Sequence, residues 1–140
     1  MDGLSVAANV IAVIELSAKI AALCFQYSAA VKDAKKDIER LQTKVNDVKK
    51  VAEDVQQLLD GPHSPKLSTS QKLGQAIHGC FAQLQTIGTR LDPGKSRKAM
   101  SRLGLRSLKW PFESKEIDKL VKELENCNAN ISLALQVDQT

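Results

Sequence analysis

The chain is poor in aromatic residues, with one Trp, one Tyr and three Phe making 4% of 140 residues against 43% hydrophobic residues overall. Its core must therefore be built from Leu, Val, Ile and Ala, which suit helix seams better than the aromatic-rich strands of a sandwich. Cysteine is sparse as well. Cys24, Cys80 and Cys127 form an odd set with no CxxC or other close spacing, which argues against a disulfide framework or a thiolate zinc motif and for reduced core thiols. The two histidines give no more: His63 sits in a Pro-rich turn, His78 precedes Gly79, and neither stands at triad or metal spacing from a carboxylate, thiol or hydroxyl. No strand pattern is present, so no Gly-rich loop follows one to cradle a phosphate. Neighbouring acids such as Glu53 and Asp54 belong to a charged helix face. The expectation is a protein with no catalytic site, metal or cofactor.

Targeting signals are missing too. Asp2 stands where a signal peptide carries basic residues, and Glu15 and Lys19 interrupt the apolar run that follows, so no secretory leader is expected. Gly3 is not directly after the initiator Met, and Val137-Asp138-Gln139-Thr140 is no prenylation box, so any membrane contact must come from the helices themselves.

What the sequence does contain is helical periodicity. At 140 residues it fits one domain, 1–140. Val31, Ala34, Ile38, Leu41, Val45, Val48, Ala52, Val55 and Leu59 recur at spacings of three and four, a heptad seam that Gly61-Pro62-His63-Ser64-Pro65 ends near Asp60. A further helix is expected to open at Ser68 with Gln71 completing a capping box, carry the seam Leu73, Ile77, Cys80, Leu84, Ile87 and Leu91, and close at Asp92-Pro93-Gly94. Gly74, Gly79 and Gly88 make it the weakest helix, or else permit a close neighbour. After Pro111, Ser114 reads as a cap and Glu116 complements the helix dipole, ahead of the seam Ile117, Leu120, Leu124, Cys127, Ile131 and Ala134. With the N-terminal helix this predicts an all-α, antiparallel four-helix bundle.

Two segments differ from ordinary bundle walls. From Leu4 to Phe25 nearly the whole helix circumference is apolar, including Val10, Ile11, Ile14, Leu16, Ile20 and Leu23. A narrow stripe of Ser5, Asn9, Ala12, Glu15, Lys19, Ala22 and Gln26 is the expected wet edge, with Glu15 and Lys19 as an i,i+4 pair. Such a helix is mostly buried in a bundle or enters a bilayer. Its length, about 33 Å, matches a hydrocarbon core of roughly 30 Å, but Glu15 and Lys19 would each cost about 2.5–3.5 kcal/mol near the bilayer centre. Burial at rest with release on activation reconciles the two.

The second segment, Pro93 to Phe112, carries Lys95, Arg97, Lys98, Arg102, Arg106 and Lys109 with no acid, more than the whole net charge of +4. Together with Met100, Leu103, Leu108 and Trp110 it has the composition that favours an anionic lipid surface. Nucleic acid is not expected, since no stacking platform or DNA-reading motif accompanies the charges. The competing reading is a solvated linker whose Trp110 and Phe112 plug the end of the core.

Particular runs also resemble a known family. Met1-Asp2-Gly3-Leu4-Ser5-Val6-Ala7-Ala8-Asn9-Val10-Ile11, Ile38-Glu39-Arg40-Leu41, Lys109-Trp110-Pro111-Phe112-Glu113-Ser114-Lys115-Glu116-Ile117 and Ile131-Ser132-Leu133-Ala134-Leu135 resemble the HeLo-like N-terminal domain of fungal NLR-type (STAND) receptors. The resemblance implies a cell-death effector domain, cytoplasmic at rest, that homo-oligomerises when an upstream sensor or amyloid-type trigger acts. It implies further that the N-terminal helix then reaches the plasma membrane and permeabilises it, with Leu4 to Phe25 the membrane-active element and the basic segment a lipid-contact surface. It also implies that the 140 residues are the N-terminal part of something longer. The rival from another class is a non-lytic signalling adaptor acting through protein contacts.

Overall fold

The computed structural model describes residues 3–61, 70–92 and 109–139. It is all-helical among these residues, with α1 (Gly3–Ala30), α2 (Lys35–Leu59), α3 (Gln71–Leu91) and α4 (Ser114–Gln139). The seams read from the sequence are the core. Ile38, Leu41, Val45, Val48, Ala52 and Val55 of α2, and Leu73, Ile77, Cys80, Leu84, Ile87 and Leu91 of α3, have no exposed surface. On α4, Ile117, Leu124, Ile131 and Ala134 are buried, Leu120 and Cys127 are half-buried, and Val121 joins them. Each fully buried Val, Leu or Ile contributes about 1.5–3 kcal/mol, so these rows outweigh the exposed ion pairs along the outside.

The helix ends follow local hydrogen-bond demand, and two caps differ from expectation. Ser70 caps α3: it is extended (φ −69°, ψ 121°) and its hydroxyl accepts from the Leu73 amide at 3.1 Å, whereas Ser68 lies outside the described residues. Glu113 takes the cap position of α4. Its carbonyl accepts the first helical bond from the Ile117 amide at 3.0 Å, and Glu116 Oε1 reaches back to the Glu113 amide at 3.3 Å, one half of a capping box. Ser114, expected to cap, instead donates its hydroxyl to Asp37 Oδ2 at 2.7 Å, tying α4 to α2. The carboxylate at the third helical position supplies the capping contact, so the serine is free for a tertiary one.

The helices run up, down, up, down along the chain, and α1 and α2, joined by a tight turn at 31–34, are antiparallel. α2 barely touches α3, although the two are consecutive in the chain, so the ring of neighbours is α1–α2–α4–α3. α1 therefore packs parallel to α3, with Val6 beside Gly74 and Ile20 beside Gly88. α2 packs parallel to α4, in step from Arg40–Asp118 (2.7 Å) to Lys44–Glu125 (3.2 Å). The protein is thus two helical hairpins stacked side by side. α1 is a corner of this ring, with one face buried against two neighbours and the opposite face exposed.

Candidate functional site

α1 combines two faces. Val6, Val10, Val13, Ser17, Ile20, Leu23, Cys24 and Tyr27 point inward and are buried. The outward stripe is Ala8, Ile11, Glu15, Ala18, Lys19, Ala22, Phe25, Gln26 and Ala29. This corrects the expected wet edge: Ile11 (44% exposed) and Phe25 (68% exposed) lie on the surface, while Asn9 and Ala12 are half-buried. Alanine tolerates either environment, so the polar residues of α1 could not set its rotation, and the neighbours did. Of the residues assigned to a membrane-active helix, Val10, Ile20 and Leu23 belong to the core and Ile14 and Leu16 are half-buried. Ile11, Glu15, Lys19 and Phe25 are exposed, and Leu4 lies in the first turn. By length and composition Val6–Ala30, 25 residues that include an 18-residue stretch of mean hydropathy 1.8, is long and apolar enough to cross a membrane, a property that a core helix of a soluble bundle shares.

Polar contacts hold the C-terminal half of α1. Lys19 Nζ lies 3.7 Å from Asp92 Oδ2, so the cation expected to pair with Glu15 ties α1 to the end of α3 instead. Gln42 Nε2 donates to the Ala21 carbonyl at 3.2 Å from α2. The buried Tyr27 hydroxyl donates to the Leu91 carbonyl at 2.7 Å, satisfying a carbonyl that the end of α3 leaves without a helical partner.

Around Tyr27 three of the five aromatic residues are gathered. Trp110 meets Tyr27 edge-on with ring centroids 5.3 Å apart, and Phe112 meets Trp110 in the same way at 5.3 Å. The Arg90 guanidinium sits 4.4 Å above the Phe112 ring, donates to the Pro111 carbonyl at 2.6 Å and pairs with Glu116. The Arg90 hydrogen bond, helped by the Glu113 amide, holds the Glu116 carboxyl below the usual carboxylate range. Trp110 and Phe112 thus do plug the bundle end. Sequence reasoning missed Tyr27 and Arg90, which meet the 110–116 run across more than 20 residues of chain; the clustering of aromatics at helix boundaries was the available signal.

Of the basic segment, Lys95, Arg97, Lys98, Arg102 and Arg106 lie outside the described residues. Its two anchors are described, and they converge: Asp92 is ion-paired to Lys19, Trp110 rests on Tyr27, and Lys109 is exposed. Both ends of the segment therefore meet the C-terminal half of α1.

The crevice at this end, lined by Lys32, Asp33, Asp37, Lys109, Trp110 and Glu113 among others, brings together charges of both signs. Among the described residues no group of three His, Cys, Asp or Glu could hold a metal ion. His78 is exposed, and His63 lies outside the described residues. Compared with known protein families, curated proteins and solved structures, the chain matches none.

Proposed function

We propose that the bundle is a regulated cell-death effector domain that oligomerises and targets or permeabilises membranes through α1. The observation that carries this reading is the convergence of an apolar helix of membrane-spanning length with both anchors of a segment bearing six cations and no acid. A cationic segment is drawn to anionic lipid with about 1 kcal/mol per Lys or Arg near the surface, and here it would deliver α1 to the bilayer. In the resting bundle Val10, Val13 and Ile20 are fully buried, so activation requires α1 to leave α2 and α3. Oligomerisation would let the Glu15 and Lys19 edges of several copies face one another instead of lipid. Partners on this reading are further copies of the chain, anionic lipids and an upstream sensor or amyloid-type trigger, with movement from cytoplasm to plasma membrane.

A non-lytic adaptor is the second reading, favoured by the exposed Ile11 and Phe25, since exposed apolar side chains on one helix stripe also suit a protein partner. Dye release from phosphatidylserine-containing liposomes separates the two. The effector reading expects leakage from anionic vesicles by the oligomerised domain, reduced by R97E/R102E/R106E with folding intact. Absence of both leakage and lipid binding would sink it, and a protein partner lost on Ile11→Ser or Phe25→Ser would support the adaptor.

A further inference from the structure

Two of the three cysteines face each other. The pairs Arg90–Glu116 and Gln83–Glu123 fix the antiparallel register of α3 against α4, and the same register two turns on sets Lys72 and Ala76 beside Asn130 and Ala134. It places Cys80 opposite Cys127, and their thiols hydrogen-bond to one another. Helices packed about 8–10 Å apart, each with Cα atoms about 2.3 Å from its axis, bring directly facing Cα atoms to about 3.4–5.4 Å, whose upper part overlaps the span of a disulfide.

From this juxtaposition we infer that Cys80 and Cys127 are a thiol pair that a low-molecular-weight disulfide, such as oxidised glutathione, converts to an intramolecular disulfide stapling α3 to α4.

The two thiols are unequal. Cys80 is fully buried and Cys127 half-buried, so only Cys127 is open to a small oxidant. The hydrogen bond it receives from Cys80 lowers its pKa below the ordinary thiol value, while that bond and then burial keep Cys80 protonated. Cys127 is therefore the attacking sulfur. Its thiolate bonds to one glutathione sulfur as the glutathione S–S bond breaks, and the other glutathione leaves with the electron pair and takes up a proton. Cys80 then gives up its proton and attacks the Cys127 sulfur, expelling the second glutathione as a thiol. Two protein thiols are oxidised to one disulfide, and one glutathione disulfide is reduced to two thiols. Cys24 takes no part: Ile20 lies beside Gly88, a register that sets Cys24 about 18 Å along the axis from Cys80.

The inference does not rest on the membrane reading. Treatment of the folded 140-residue chain with oxidised glutathione is expected to remove two hydrogens from the intact mass, with no lasting adduct. Peptide mapping should join the Cys80 and Cys127 peptides, and Tm should rise by about 5–10 °C, reversed by dithiothreitol. Cys24→Ala should change none of this. Cys80→Ala should stop at a glutathione adduct on Cys127, and Cys127→Ala should leave Cys80 unreacted. If the wild-type protein keeps all its thiols, halts at the Cys127 adduct, or forms a bond that includes Cys24, the inference is overturned.

Discussion

Replacing Ser17 with alanine should make the protein more stable, the reverse of what most core substitutions do. Ser17 is completely buried on the inward face of α1, and its hydroxyl oxygen has no hydrogen-bond partner among the described residues. A buried unsatisfied polar group costs about 1–3 kcal/mol. Removing it opposes only a small loss of packing, and alanine is the better helix former by about 0.5 kcal/mol. The net gain works out at about 1–2 kcal/mol, or a Tm increase of about 3–6 °C for a chain of this size. Urea unfolding followed by circular dichroism measures it: the midpoint should rise by about 0.5–1 M with the slope unchanged. Ala18→Ser, at the exposed neighbouring position, should lower stability by about 0.5 kcal/mol and serves as control. A midpoint for Ser17→Ala equal to or below wild type would show that the hydroxyl is satisfied, and the reasoning would fail. On the effector reading the same change has a second consequence, since 1–2 kcal/mol in favour of docked α1 lowers the released population about 5–30-fold and should delay liposome leakage.

Tyr27→Phe should destabilise the fold by about 1–2 kcal/mol, because the Leu91 carbonyl then loses its buried donor; an unchanged urea midpoint would rule out the hydrogen bond as a fastening. Glu116→Gln should remove part of the acid sensitivity of folding. Glu116 has a depressed folded pKa, so its contribution is present above the ordinary carboxylate pKa and disappears as pH falls through the folded value. The stability difference between wild type and Glu116→Gln should therefore shrink from pH 7 to pH 3, and a difference independent of pH would contradict the Arg90–Glu116 assignment.

How far the sequence revealed this molecule depends on how sharply each residue type prefers one environment. The seams of α2, α3 and α4 could be read directly, since Leu, Ile and Val at spacings of three and four have one low-energy place to be. α1 resisted the same reading. Its many alanines are indifferent to burial, so the stripe through Asn9 and Ala12 lost to one through Ile11, Ala18 and Phe25, and Ser17 went inside. Cap positions slipped by one or two residues because several Ser, Thr and Glu side chains compete there, and the winner depends on partners such as Asp37 that come from another helix. The aromatic cluster and the Cys80–Cys127 pair were invisible for a related reason. Each is produced by interhelix register, which a periodic seam leaves free to slide until particular residues, here Arg90 with Glu116 and Gln83 with Glu123, lock it.

The uneven fastening of α1 has a mechanical consequence. The described polar ties, from Lys19, Ala21 and Tyr27, all lie in its C-terminal half, near the turn that joins it to α2. Toward the N-terminus Val6, Val10 and Val13 hold by packing alone. A pull directed outward on that end meets the helix as a strip being peeled, with one turn of valines parting at a time. The same pull directed along the axis loads every turn together in shear. The helix is therefore weak in one direction and strong in the other, with Tyr27 as the rivet at which a peel would stop.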